Sequence, residues 1–239
     1  MSTATGEERR PERKLLLPGA ALLTGVMGAL TLIIAQRHLS LDAFAPLAQL
    51  WTIWAVLAAG LTFSFQQWAA VHDVGRRSIF PGGAANNVMI AIAALGLGIL
   101  VLTAAGRDRI FHSPSMVWPC AAALLPLGTA LSGIRRGQLA RHGRQLGLAA
   151  VIAGENAVRL AVTVVLVILG ADPNWFAIAL LSGFVVVAGP SGGTGNRTVP
   201  ADKRGLRTLG AAAGAGFIAY AFMFGSPLLL TLAGGTAEE

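Results

Sequence analysis

The chain has 239 residues, 54% of them hydrophobic and only 12% charged, with a mean hydropathy of +0.66, which excludes an ordinary soluble domain and predicts an all-α polytopic membrane protein. A net charge of +7 would suit nucleic acid, but the basic residues are dispersed among loops between apolar runs, where membrane orientation explains them and no nucleic-acid partner is implied. The single cysteine, Cys120, lies in an apolar run, so neither a disulfide framework nor a CxxC metal site is available.

Residues 1–14 are polar and charged and read as a cytoplasmic tail. Leu15 to Ala35 follows this basic start like a signal peptide, yet it is long and further spans follow, so it is read as the first membrane helix. The next apolar runs are Leu47 to Val71, Ala84 to Ala105, Met116 to Ile134, Leu146 to Gly170 and Trp175 to Ala188. They predict a six-helix transmembrane lobe over 15–188. The fourth run contains Pro119 and Pro126, and the sixth is short before Gly189 and Pro190.

A Gly-rich basic linker, 189–208, precedes a seventh apolar run from about Leu209 to Ala233, and the chain stops at Glu239. Orientation follows from the loops. Arg9, Arg10, Arg13 and Lys14, then Arg76 and Arg77, then Arg135, Arg136, Arg141 and Arg144, then Arg197, Lys203, Arg204 and Arg207 fall on one side; Arg37, Arg107 and Arg109 fall on the other. The positive-inside rule therefore places the N-terminus and the Arg135 to Arg144 loop in the cytoplasm of a cell with this chain in its plasma or inner membrane.

The fifth run carries Glu155, Asn156 and Arg159. At ~1.5 Å per residue, Arg159 lies about 20 Å beyond Gln145, inside a hydrocarbon core ~30 Å thick. Glu155 and Arg159 are spaced i,i+4 with the acid first, so they are expected to pair on one face, either locking the bundle or lining a transport pathway. Arg159 is the only basic side chain inside an expected span, and Asn156 is placed to bond a neighbouring helix.

The seventh run lies over the first at an offset of 196: Thr31 to Ala35 aligns with Pro227 to Thr231, and the turn Ser40-Leu41-Asp42 with Thr236-Ala237-Glu238. Gly25 and Gly28 in the first copy and Gly225 and Pro227 in the second are matched helix interruptions, of the kind that bend transporter helices around a midplane site or simply permit close packing. The repeat predicts that 209–239 is the first helix of a second lobe, truncated here, with a continuation, a second lobe or a homodimer completing the protein.

Six helices, a basic linker and a repeated first helix resemble the polysaccharide-flippase branch of the multidrug/oligosaccharidyl-lipid/polysaccharide exporter (MOP) superfamily. Arg37 to Ala45 is similar to the turn after that family's first helix, with Ala45 where the family has Gly. Ala237-Glu238-Glu239 is similar to its counterpart after the seventh, and the basic loop Gln138 to Arg144 entering a helix with Glu155 and Arg159 also resembles the family pattern. The resemblance implies two six-helix lobes around a cavity, and flipping of a polyprenyl-pyrophosphate-linked oligosaccharide across the bilayer for envelope polysaccharide synthesis. Arg159 would then meet pyrophosphate, since guanidinium binds phosphate oxygens bidentately. Gln66, Gln67, Asn86 and Asn87 could bond sugar hydroxyls or sit at the interface.

His38, His72, His112 and His142 alternate between the two sides, which disfavours a histidine metal site. The glycine run before Asn196 lacks the lysine of a phosphate-binding loop. Glu155 is the only acid in a span, so no paired carboxylates exist there, and neither enzyme activity nor a cofactor is expected. Two other functions fit the same composition: a non-transporting membrane protein that organises an envelope-polymer assembly, and a cation-coupled small-molecule exporter.

Overall fold

The computed structural model describes residues 12–71 and 84–188, and among these every regular element is helical. Five described helices are long and apolar enough to cross a membrane. They are α1 (Glu12–His38), α2 (Leu41–Val71), α3 (Ala84–Ala105), α4 (Val117–Arg141) and α5 (Gln145–Ile168). A shorter apolar segment, Pro173–Val187, follows; it contains α6 (Phe176–Ser182) and passes into a 3-10 helix at Gly183–Ala188. Its described length reaches roughly 25 Å, short of a ~30 Å core, so the sixth expected span is present here only as this broken segment. The linker, the seventh run, Gly225 and Pro227 lie outside the described residues.

Local chemistry explains the ends. Ser40 caps α2 by accepting a hydrogen bond from the Ala43 amide. Both α4 and α5 end at a glycine in the left-handed region, Gly143 (φ 64°) and Gly170 (φ 61°). The following amides, Arg144 and Ala171, reach back to the carbonyls of Leu139 and Leu166, satisfying groups that the helix ends would otherwise leave unpaired.

Helix α4 is the hub: it packs against α2, α3, α5 and α6, while α1 lies on the outer side of α5. Trp118, Ala122 and Leu125 of α4 are buried with Leu50 of α2 and Phe176 and Leu180 of α6. Outward faces of α1 and α3 expose Leu22, Val26, Ile90 and Val101, as contact with acyl chains requires. Small residues let backbones approach α4 closely. A Cβ on Gly96 of α3 would lie 2.7 Å from the Ala123 carbonyl oxygen, and one on Gly133 2.5 Å from the Thr62 carbonyl oxygen. Gly137, one turn on, packs against the Gln66 carbonyl.

Two expectations about the helices are corrected. Helix α1 runs through Gly25 and Gly28 without interruption; a Cβ at Gly25 would meet nothing within 4 Å, and at Gly28 only the Trp51 ring, at 3.5 Å. The helix is therefore continuous across both positions, with room for a Cβ at each. The fourth helix also continues past Ile134 to Arg141. Arg135 and Arg136 are therefore helical rather than part of a loop.

The break inside the described residues lies instead in α2, where Ala58–Thr62 forms a wide π-helical turn. Its polar groups find partners across and within the helix: Thr62 Oγ1 donates to the Thr129 carbonyl at 3.2 Å, and Ser64 Oγ to the Gly60 carbonyl at 2.6 Å.

Candidate functional site

Where α2, α4, α5 and α6 meet, five polar side chains come together: Ser132 and Arg136 from α4, and Glu155, Asn156 and Arg159 from α5. Arg159 is 0% exposed, Glu155 2% and Asn156 3%. The depth is that of a membrane interior, since Glu155 and Arg159 are about 15 and 21 Å along α5 from Gln145.

The expected Glu155–Arg159 ion pair does not form. Both Glu155 oxygens are taken by α4, Oε1 accepting from Ser132 Oγ and Oε2 from Arg136 Nη2 at 2.9 Å. Spacing i,i+4 allows the intrahelical pair but cannot prefer it over two donors on a neighbouring helix, which together satisfy both carboxylate oxygens. Arg136 is also a second cation within a span, so Arg159 is not the sole one. The Arg136 side chain is 18% exposed.

Arg159 turns the other way. Its Nε donates to the Leu180 carbonyl at 2.9 Å and its Nη1 to Asn156 Oδ1 at 3.1 Å. Leu180 is in the last turn of α6, just before the change to a 3-10 helix at Gly183, where backbone hydrogen-bond geometry is poorer and the guanidinium supplies a donor. The guanidinium thus caps this short helix. Cζ stands 4.4 Å from the centre of the Trp54 ring and 5.3 Å from that of Phe184, a cation–π arrangement worth ~2 kcal/mol when desolvated. Gly183 seals the edge: a Cβ there would lie 2.6 Å from Nε and 2.7 Å from Cζ. Arg159 Nη2 is buried with no hydrogen-bond acceptor among the described residues.

Of the other expected site residues, Gln66 and Gln67 are not brought to this cluster. Gln66 lies about 18 Å along α2 from Trp54, half-buried, and its backbone carbonyl packs on Gly137. Gln67 is exposed, and Asn86 and Asn87 begin α3. Sequence reasoning missed Ser132, Arg136, Trp54 and Gly183. A signal for the first two was present: Ser132 and Arg136 are themselves i,i+4, so a hydroxyl and a cation share one helical face in the segment preceding the acid.

Comparison with protein-family models, with curated proteins and with solved structures gives no match for this chain.

Proposed function

We propose that this chain is a membrane transporter that flips a lipid-linked oligosaccharide, carried on a polyprenyl pyrophosphate, across the plasma or inner membrane. The observation that supports this reading is Arg159: a guanidinium at mid-membrane depth, with no carboxylate within ion-pair distance and its Nη2 amino group without an acceptor among the described residues. Cations so placed are costly unless they serve something. A pyrophosphate moving through hydrocarbon needs such a donor, and the planar fork suits two phosphate oxygens at once. Trp54 and Phe184 shield the group from lipid while leaving its charge intact.

The closed arrangement defines what must move. The α6 segment covers Arg159 through the Leu180 carbonyl and Gly183, so an anion reaches the guanidinium when that segment withdraws, taking the place of the Leu180 carbonyl.

The test is Arg159→Lys, which keeps the charge and loses the fork. Glycan export by the source cell should fall at least about tenfold, the effect of ~1.4 kcal/mol, while the amount of protein in the membrane is retained. Unchanged export overturns the reading. Loss of protein together with export favours the second reading, a non-transporting organiser of an envelope assembly, in which Arg159 only caps α6; the complete enclosure of the guanidinium is the observation on its side.

A further inference from the structure

The geometry points to Ser132 and Arg136 as positioning residues that hold the Glu155 carboxylate on α4, and so keep Arg159 available to an anionic headgroup. This rests on the transporter reading above and adds a control element to it. Glu155 and Arg159 lie one turn apart on α5, a spacing at which an acid and a base close on each other when nothing else competes. Here something does: the carboxylate is occupied at both oxygens from α4, by Ser132 Oγ and by Arg136 Nη2 at 2.9 Å. Arg159 is correspondingly committed to neutral acceptors, the Leu180 carbonyl and Asn156 Oδ1, with Nη2 left over.

The pairing gives the arrangement its meaning. Of the two guanidiniums hydrogen-bonded in this cluster, Arg136 meets the carboxylate, while Arg159 has no carboxylate within ion-pair distance among the described residues. Without Arg136, Arg159 stands one turn from Glu155 on the same helix, and a rotamer change lets the two neutralise each other. Removing the carboxylate as well frees Arg159 again. A residue needed only for packing would not show this reversal.

The experiment uses the full chain purified in detergent, with thermal unfolding followed by tryptophan fluorescence and inorganic pyrophosphate as the probe. Pyrophosphate should raise the midpoint of the wild-type chain, fail to raise that of Arg136→Gln, and again raise that of Arg136→Gln/Glu155→Gln. A wild-type response in Arg136→Gln, or none in the double variant, overturns the proposal. Farnesyl pyrophosphate should act at about tenfold lower concentration than inorganic pyrophosphate, since its apolar chain partitions into the same environment; equal potency overturns the lipid-borne part. If the wild-type chain does not respond at all, the anion reading fails, and sequestration of Glu155 is decided without ligand. The non-additivity of Glu155→Gln and Arg159→Gln in melting temperature should then grow by about 3 °C in the Arg136→Gln background. An equal non-additivity in both backgrounds overturns it.

Discussion

Replacing Gly137 with alanine isolates the backbone contact on which the α2–α4 pairing depends. Gly137 lies within α4, so alanine costs nothing in backbone conformation and by intrinsic propensity should gain about 1 kcal/mol. The added methyl, however, would meet the Gln66 carbonyl and lie 2.7 Å from Ala69 Cβ and 3.0 Å from the Ala70 amide nitrogen. These are backbone and near-backbone atoms, so no side chain can swing away and α2 must back off along its last turns. Overpacking of this kind costs ~1–3 kcal/mol, and a rigid obstacle places it at the upper end, leaving a net loss of about 2 kcal/mol. For a chain of this size that is a fall of about 4–8 °C in melting temperature, read by thermal unfolding in detergent. Gly25→Ala is the matched control, because its methyl meets nothing within 4 Å; it should be neutral or slightly stabilising. Equal effects of the two substitutions would refute the close approach of α2 to α4.

Gly183→Ala should destabilise the chain by about 2 kcal/mol, because the methyl displaces Arg159 and forfeits a charged hydrogen bond worth ~1.5–3 kcal/mol; an unchanged melting temperature would show that the guanidinium is not pinned against α6. Orientation is checked in intact cells with a membrane-impermeant maleimide after Cys120→Ser removes the native thiol. Asp108→Cys should be labelled at once and His142→Cys only after permeabilisation, and the opposite pattern would invert the topology.

Much of the architecture was legible because the bilayer imposes it. Long apolar runs became helices, and Gly170 marked an end by local chemistry that needs no tertiary partner, whereas the caps at Ser40 and Gly143 lie beyond the expected bounds at Leu47 and Ile134. The errors arose where a distant residue changed the local arithmetic. Arg135 and Arg136 read as a loop because a charge normally ends a span, but Glu155, reached from Arg136, makes a helical cation tolerable there. The Glu155–Arg159 pair was inferred from one helix alone, while the choice of partner was made by the α4–α5 hairpin. Counted outward from Gly143, Glu155 is roughly five residues deeper than Arg136, about 7.5 Å, an offset that a long arginine side chain spans. Gly25 and Gly28 illustrate the converse: glycine marks a possible bend, but nothing crowds these two positions, and the helix stays regular.

A π turn carries one residue more than an α-helical path over the same rise, so α2 holds a spare residue at Ala58–Thr62. Deleting a residue inside that turn would return it to α geometry and leave Phe65, Trp68 and the Gln66 carbonyl aimed as before. Deleting one elsewhere in α2 would rotate everything downstream by about 100° and strip those groups from α4. The slack lies between the half of α2 that stacks on Arg159 and the half that rests on Gly133 and Gly137. Changes in the length of this helix are therefore absorbed at one place, where they alter neither the cation's aromatic cover nor the glycine seam.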